Sequence, residues 1–325
     1  MSSRSWATHS GTYESVLEHE GIFFERVPPF MSRARSQAFV AANRRDVGLR
    51  RFLRFYDTDE LRAHVRGEIA LFRRHAVRAV LTGWTLSTAL STRAAGVPLA
   101  TSHLGCLVPA WSAGGRAPRA RIAALPGCAT SAPSTPNCLA RSPRIASYLD
   151  SDVPTGYVAQ TSTRKDHLSA VCAALRALPV RAVLVSTVHD LGRGLGPNVL
   201  VRSHLPSHAV MALVDLAIIH GGQGSVQTAI AAGVPVVGLP LHGEQYLNLK
   251  LIQRHGAGRC LWSPNTATRP RFGQVVARSL ADASLKANMQ RVQALQARYD
   301  GSSNSAQAVR QLAQTPVVRR PRPPD

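Results

Sequence analysis

The sequence predicts an α/β protein with two domains, each built on a doubly wound parallel sheet. Three observations support this prediction. The chain has 325 residues, about twice the usual length of one domain. Apolar strand-like runs alternate with helical stretches in both halves, the pattern of parallel sheets. A helix end, a Gly-Val-Pro turn and a strand also occur twice, in AAGVPLATSHL (94–104) and AAGVPVVGLPL (231–241).

The first domain is assigned to residues 1–150. Its predicted elements, in order, are a short helix, a glycine and a strand within 7–27, a charged helix at 59–75, a strand at 77–82, a helix at 85–95 and a strand at 97–102. The last three form a βαβ unit, which implies a parallel sheet. Residues 111–155 are rich in Pro, Gly, Ser and Ala, so they predict an irregular segment containing the linker.

The second domain is assigned to residues 156–314. Its predicted strands are 156–160, 181–187, 198–206, 215–219 and 235–240, and its predicted helices are 166–178, 208–214, 225–233, 248–258, 272–299 and 304–314. The helix at 166–178 shows the 3.6-residue apolar spacing of an amphipathic helix. The Pro- and Arg-rich residues 315–325 predict a disordered tail.

The net charge of +21 comes from 39 basic and 18 acidic residues. Only three of the basic residues are lysines, and the arginines are scattered without interleaved aromatic residues. This pattern disfavours nucleic-acid binding, which needs clustered basic residues with stacking aromatics. It leaves open a favourable field for an anionic ligand or an anionic membrane surface.

The five cysteines form no CxxC pair, and no Cys/His spacing suits zinc, so no metal site is expected. They are Cys106, Cys128, Cys138, Cys172 and Cys260. Unpaired thiols are typical of a reducing compartment. The polar first residues predict no signal peptide, and no apolar run is long enough for a membrane span. We therefore expect a cytoplasmic protein, with peripheral membrane association left open.

A glycine-rich turn follows the predicted strand at 215–219, in the stretch 220-HGGQGS-225. In open α/β sheets, ligands bind outside the carboxyl ends of the strands. Gly221, Gly222 and Gly224 let the backbone approach a bulky anion. Ser225 is the expected N-cap of the next helix, whose free N–H groups attract negative charge. His220 adds a donor that can carry charge, so the stretch predicts a phosphate site.

The next predicted strand leads into 242-HGEQ-245 at the same edge of the sheet. Glu244 accepts hydrogen bonds, and Gln245 both donates and accepts, a combination suited to hydroxyl groups. Either motif alone is more often an ordinary turn or solvated loop. Both on consecutive strand ends favour a ligand with phosphate and polyol parts, such as a sugar phosphate or a nucleotide-sugar.

The segment 220–258 resembles the donor-binding signature of nucleotide-diphosphate-sugar glycosyltransferases with two Rossmann domains, the GT-B type. It is most similar to the bacterial branch of the UDP-glycosyltransferase family that glycosylates lipids, macrolides and similar apolar acceptors. The match runs through His220, Gly221, Gly222, Gly224, Ser225, Gly233, Pro235, Pro240, Gln245 and Asn248. Weaker similarity covers most of the chain.

The resemblance implies an inverting, metal-independent hexosyltransferase without a cofactor, using a UDP- or dTDP-sugar and a hydroxyl of a small, apolar acceptor. Residues 1–150 would form the acceptor domain and residues 156–314 the donor domain. The diphosphate would be bound by His220, Gly221, Gly222, Gly224, Ser225 and Ser162. The transferred sugar would be bound by Glu244 and Gln245, and the nucleoside side would lie near His204 and Thr228.

The sequence departs from the family pattern at three places. Thr228 stands where many relatives have a ribose-binding Glu, and Thr161 where a glycine is usual. On this alignment the first strand of the acceptor domain, with the loop that carries the usual catalytic histidine, has no counterpart. We therefore expect a shortened acceptor domain and an unknown base. The available histidines there are His9, His19, His64, His75 and His103, of which His103 follows a strand and is the candidate.

Two alternatives to catalysis remain open. The chain could be a nucleotide-sugar-binding remnant or a truncated gene product, because no base is evident in the sequence. A sugar epimerase would need paired carboxylates in the cleft, and few acids are available. The oligomeric state is not predicted.

Overall fold

The computed structural model describes residues 7–9, 17–18, 21–30, 57–83, 85–101, 143–160, 165–186, 191, 196–203, 205–241, 243–262 and 271–314. The chain divides into two compact units. Unit 1 comprises Met1–His103 with Ser303–Asp325, and unit 2 comprises Leu104–Ser302. Three candidate site residues lie outside the described residues: His103, Ser162 and His204.

Two pairs of short parallel strands are described in unit 1. Its elements are β1 (Ala7–His9), β2 (Phe24–Arg26), α1 (Thr58–Arg74), β3 (Val80–Thr82), α2 (Leu86–Ala95) and β4 (Leu99–Thr101). Strand β1 pairs with β2, and β3 pairs with β4, both in parallel. The predicted βαβ unit is therefore confirmed as β3–α2–β4. The prediction of a helix near residue 7 was wrong at β1, where pairing with β2 overrides local propensity.

Helix α1 begins at a complete capping box and packs on α2 through polar side chains. The Asp57 carboxylate accepts from Glu60 N at 2.8 Å, and Asp57 N donates to the Glu60 carboxylate at 3.2 Å. Further along, buried Glu68 accepts from Ser87 Oγ at 3.2 Å and from Thr88 Oγ1 at 2.9 Å. Ser91 Oγ also donates to this carboxylate. The seam between α1 and α2 therefore depends on one carboxylate shared by three hydroxyls.

Replacing Glu68 by alanine is expected to lower the free energy of unfolding by about 2–4 kcal/mol. The change leaves buried hydroxyl groups of α2 without their acceptor, which costs more than the hydrogen bonds contribute when made. Asp59→Ala is the matched control, because its carboxylate lies on the same helix and its side chain is 92% exposed. Urea unfolding compares the two variants. Equal midpoints for Glu68→Ala and Asp59→Ala would contradict the role assigned to Glu68.

Unit 2 contains one six-stranded parallel sheet. Its elements are α3 (Pro143–Leu149), β5 (Thr155–Ala159), α4 (Lys165–Arg176), β6 (Arg181–Val185), β7 (Val199–Arg202), α5 (Ser207–Met211), β8 (Leu216–Ile219), α6 (Gln223–Ala232), β9 (Val236–Gly238), α7 (Gly243–Arg254), β10 (Gly258–Cys260), α8 (Arg271–Ala281) and α9 (Ala283–Gln296). The chain continues into α10 (Gly301–Gln314). The strand order is β7-β6-β5-β8-β9-β10, the doubly wound order of a Rossmann domain.

Apolar side chains cover both faces of this sheet, as expected for a parallel sheet buried between helices. One core joins odd-numbered residues of β5, such as Tyr157 and Ala159, to α3, α5, α6, α7 and α9. The other joins Val158 to α4 and α8, through residues such as Leu168 and Phe272. The alternation fixes which face each residue of β5 occupies, and it assigns Gln160, the residue after β5, to the face of Val158.

The structure corrects four local predictions in unit 2. Residues 143–149 form helix α3 inside the segment predicted to be irregular. Helix α6 begins at Gln223 with Gly222 as its N-cap, so the prediction of Ser225 as N-cap was wrong. Helix α7 begins at Gly243, so Glu244 and Gln245 lie in a helix rather than a loop. The helix predicted at 272–299 is divided at Asp282, whose side chain accepts from Ser284 N and caps α9.

Candidate functional site

The site is centred on the carboxyl ends of β5 and β8, where the strand order of the sheet reverses. Helices after β5 and β8 leave in opposite directions at such a point and open a crevice for a ligand. Ala159 pairs with Ile219 on one side and with Val185 on the other. The next residues of these three adjacent strands, Gln160, His220 and Ser186, therefore form a polar row at this edge. All three are buried.

His220 is held in one orientation by the neighbouring strand. Its Nδ1 lies 3.1 Å from the carbonyl oxygen of Ala159. Because a carbonyl can only accept, Nδ1 carries the proton and Nε2 is the atom free to gain one. Burial lowers the pKa of His220, and the hydrogen bond to Ala159 opposes that shift. The free protein therefore favours a neutral ring, and an anion beside Nε2 would favour the charged ring.

Two glycines of the turn are required by close contacts. A Cβ at Gly222 would lie 2.6 Å from His220 Nε2, so glycine keeps that nitrogen uncovered. Gly221 has φ of +89°, and a Cβ there would lie 2.7 Å from the carbonyl oxygen of Gln245 and 2.5 Å from Leu249 Cδ1. At Gly224 a Cβ would meet nothing within 4 Å, so space is open beside this residue.

The N-terminus of α6 presents free backbone donors beside this open space. The N-cap Gly222 provides no side-chain hydrogen bond, and the first backbone bond of the helix runs from Val226 N to Gly222 O at 3.1 Å. The N–H groups of Gln223, Gly224 and Ser225 have no backbone acceptor within the described part of the chain. Such groups, together with the positive end of the helix dipole, form an anion site.

Asn248 joins the two predicted motifs directly. Its Nδ2 donates to Gly221 O at 3.0 Å and to Glu244 Oε1 at 2.7 Å. Burial raises the pKa of Glu244, and the hydrogen bond from Asn248 opposes this rise. Asn248 thus links the glycine turn after β8 to the first turn of α7. The sequence pattern included Asn248, but only the structure assigns it this bridging position.

The remaining predicted residues have more local partners. Gln245 is buried, and its Oε1 accepts from Leu241 N at 2.8 Å, which leaves the amide nitrogen for a ligand. Thr228 is one turn into α6, and its hydroxyl donates to Gly224 O at 2.8 Å. Gln245 Oε1 and Thr228 Oγ1 could each still accept a hydrogen bond from a ligand hydroxyl.

Gln160 was missed by sequence reasoning, because a single amide after a strand carries no recognisable motif.

Two histidines of unit 1, His64 and His75, are not evident bases. His64 is buried on α1. His75 follows the end of α1, and its Nε2 lies 2.5 Å from Glu25 Oε1. Because α1 leads into β3, His75 lies near the amino end of that strand, whereas ligands of open sheets bind at the carboxyl ends. The candidate His103 lies outside the described residues, so the base is not assigned.

A second candidate site in the described ranges is a cavity at the other edge of the sheet. This cavity of about 410 Å³ lies at the amino ends of β5, β8 and β9. It is lined by residues that include Asp152, Asp215 and Lys286, at the opposite edge from His220. Among the residues that the structure describes, no group of three or more His, Cys, Asp or Glu side chains could hold a metal ion. No described helix combines the length and apolar character that a membrane span requires.

Comparison with known proteins finds sequence similarity over part of the chain. Residues 178–309 match the family of erythromycin biosynthesis protein CIII-like C-terminal domains. Over 111 residues the chain is 35% identical to a PGL/p-HBAD biosynthesis glycosyltransferase of Mycobacterium tuberculosis. It is 34% identical over 113 residues to 4'-demethylrebeccamycin synthase of Lentzea aerocolonigenes. These alignments cover 34% of this chain and only 26% and 27% of the two relatives.

Solved structures share the fold over nearly the whole chain. Spinosyn rhamnosyltransferase aligns with a TM-score of 0.61 at 16% identity, covering 93% of this chain and 90% of that protein. A calicheamicin glycosyltransferase aligns with a TM-score of 0.59 at 16% identity, covering 92% and 88%. At this identity the likeness concerns the fold alone, and it confirms the predicted α/β class with Rossmann-like domains.

Proposed function

We propose that the protein is a nucleotide-sugar-dependent glycosyltransferase, because residues 178–309 match the family of erythromycin biosynthesis protein CIII-like C-terminal domains. It transfers a hexose from a UDP- or dTDP-sugar to a hydroxyl of a small apolar acceptor. The observation that carries the proposal is the anion site at the start of α6, with His220 Nε2 uncovered beside it. Asn248 links the carboxylate of Glu244 to the glycine turn that follows His220.

Each part of this site has a defined task in the proposed reaction. The free N–H groups of α6 and the charged ring of His220 bind the diphosphate and stabilise the charge it gains on leaving. Glu244 accepts hydrogen bonds from hydroxyls of the transferred sugar. The acceptor hydroxyl attacks the anomeric carbon on the face opposite the diphosphate and loses its proton to a base that is not assigned. The bond between the anomeric carbon and the phosphate oxygen breaks, the nucleoside diphosphate leaves with that electron pair, and the configuration inverts. These groups neutralise the leaving group without a metal ion.

The proposed acceptor class rests on an unusual helix in unit 1. Helix α2 buries Ser87, Thr88, Ser91 and Thr92 and exposes Leu86 and Leu90 to solvent. Leu81 of β3 is exposed as well. Exposed leucines suit contact with an apolar molecule, and the net charge of +21 suits approach to anionic surfaces. Solved structures of the same fold hold thymidine diphosphate and a spinosyn aglycone. These ligands agree with the proposed nucleoside diphosphate donor and the proposed apolar acceptor.

The proposal is tested by calorimetric titration with UDP, dTDP and GDP and with their glucose forms. We expect one nucleotide and its sugar to bind to the folded protein. Absence of heat for all six ligands would overturn the donor site. A transfer assay with the ligand that binds and a panel of apolar alcohols then separates an enzyme from a binding protein. Binding without any sugar transfer would favour the inactive remnant.

Donor affinity is expected to rise as the pH falls from about 8 to about 6. Burial holds the pKa of His220 below its ordinary value in the free protein, and a bound diphosphate raises it. At a pH between the pKa of His220 in the free protein and its pKa in the complex, binding takes up a proton. The affinity for UDP-glucose or dTDP-glucose therefore rises by up to about tenfold for each unit by which the pH falls. Calorimetry at several pH values measures the slope.

The matched variant for this prediction is His220→Gln, which keeps a polar side chain but cannot titrate. We expect its affinity to be lower and nearly constant over the same pH range. The diphosphate of a nucleotide-sugar stays ionised throughout this range, so the ligand does not produce the slope. A slope of the same size in wild type and His220→Gln would contradict the assignment of the proton to His220.

A further inference from the structure

Gln160 is a buried amide with no hydrogen-bond partner at the centre of the proposed donor site. It directly follows β5, and its relative exposure is 0%. Neither Nε2 nor Oε1 forms a hydrogen bond in the structure. Among the described residues, it is the one side chain with both polar atoms in this condition. A fully enclosed amide without partners is rare in folded proteins and calls for a physical explanation.

The position of Gln160 is fixed by the strand register. Ala159 pairs with Ile219, so Gln160 lies beside His220 at the carboxyl edge. The peptide group that joins Ala159 to Gln160 also provides the carbonyl oxygen that accepts from His220 Nδ1. The orientation of His220 and the position of Gln160 therefore depend on the same peptide group.

Folding alone does not account for an amide at this position. Gln160 continues the strand face of Val158, which is covered by apolar residues of α4 and α8. An apolar side chain of similar length would satisfy that environment without leaving a donor and an acceptor unpaired. Residues that lower the stability of the fold and make no compensating contact are typical of functional sites.

We infer that Gln160 is a further donor-binding residue, whose Nε2–H donates to a diphosphate oxygen of the nucleotide-sugar beside His220. The inference rests on the proposed function and adds a residue to its site. The enclosed amide must change rotamer to reach the ligand. This movement breaks no hydrogen bond, because the free protein makes none with that side chain. The ligand then supplies the partner that the fold does not.

The test is the variant Gln160→Met, which keeps the length of the side chain and removes its polar atoms. We expect the Kd for UDP or dTDP to rise about tenfold, the usual cost of losing one hydrogen bond to a charged group. We also expect the thermal midpoint of the free protein to rise by about 2–4 °C, since the unpaired amide is gone. Calorimetry and thermal unfolding measure the two effects.

Thr155→Val is the matched control at the other end of the same strand. The Thr155 hydroxyl donates to Asp215 Oδ2 at 2.9 Å, at the edge away from His220. Its loss is expected to lower the thermal midpoint and leave the Kd unchanged. The control thus reverses the thermal effect expected for Gln160→Met without changing the Kd, and it shows that a change in the stability of β5 does not by itself alter binding.

Two results would overturn the inference while the proposed function stands. One is an unchanged Kd in Gln160→Met, which would make the amide an unused buried group. The other is a lowered thermal midpoint in this variant, which would mean that the fold satisfies the amide. Failure of the proposed function gives a different result, because the wild-type protein would then bind neither UDP nor dTDP. In that case the inference about Gln160 is overturned as well.

Discussion

Gly222→Ala is expected to weaken binding of the nucleotide-sugar by about a hundredfold, on the order of 3 kcal/mol. A Cβ at this position would lie 2.6 Å from His220 Nε2, the atom proposed to contact the diphosphate. The ring cannot turn away without breaking the hydrogen bond from Nδ1 to Ala159. The backbone at Gly222, with φ of −59° and ψ of 145°, is open to alanine. The variant should therefore fold and lose its ligand.

Gly156→Ala is the matched control for this prediction. Gly156 lies on β5 of the same sheet, and a Cβ there would be 3.8 Å from the nearest atom, an ordinary contact. We expect calorimetry to give this variant a wild-type Kd for UDP-glucose or dTDP-glucose. If Gly222→Ala bound the donor as tightly as Gly156→Ala, His220 Nε2 would not contact the diphosphate.

Gly221→Ala is expected to prevent stable folding of unit 2, with a loss of more than about 3 kcal/mol. Gly221 has φ of +89°, where a side chain is strained. A Cβ would also lie 2.7 Å from the backbone oxygen of Gln245, which cannot move without shifting α7. Urea unfolding followed by circular dichroism would show a lower midpoint or no folded baseline.

The control for Gly221→Ala is Gly243→Ala, at the first residue of α7. A Cβ at Gly243 would meet nothing within 4 Å, and its backbone has no positive φ. Its stability should stay within about 0.5 kcal/mol of wild type. A wild-type urea midpoint for Gly221→Ala would show that the turn and α7 are not packed as described.

The fold of unit 2 could be predicted from the sequence because its signals are local and repeated. Short apolar strands, amphipathic helices and Gly-Val-Pro turns each specify one βα step, and a parallel sheet is the usual result. Helix starts were less predictable. Ser225 and Glu244 are favourable residues near an N-terminus, but α6 begins directly after Gly222 and α7 begins at Gly243.

The candidate site could be predicted from the sequence only in part. The phosphate and sugar motifs were recognisable because each has a characteristic residue pattern after a strand. The link between them, Asn248, acts across 27 residues to Gly221 O, a contact that depends on how α7 packs against the turn. Gln160 became significant only when its burial and register beside His220 were known. Neither property can be obtained from residue spacing.

The central claim is that the carboxyl ends of β5 and β8 hold a nucleoside diphosphate. A crystal structure of the full chain with UDP or dTDP, whichever binds, tests it most directly. We predict diphosphate oxygens within hydrogen-bond distance of His220 Nε2 and of the N–H groups of Gly224 and Ser225. A nucleotide bound instead in the cavity lined by Asp152, Asp215 and Lys286, at the opposite edge of the sheet, would contradict the account.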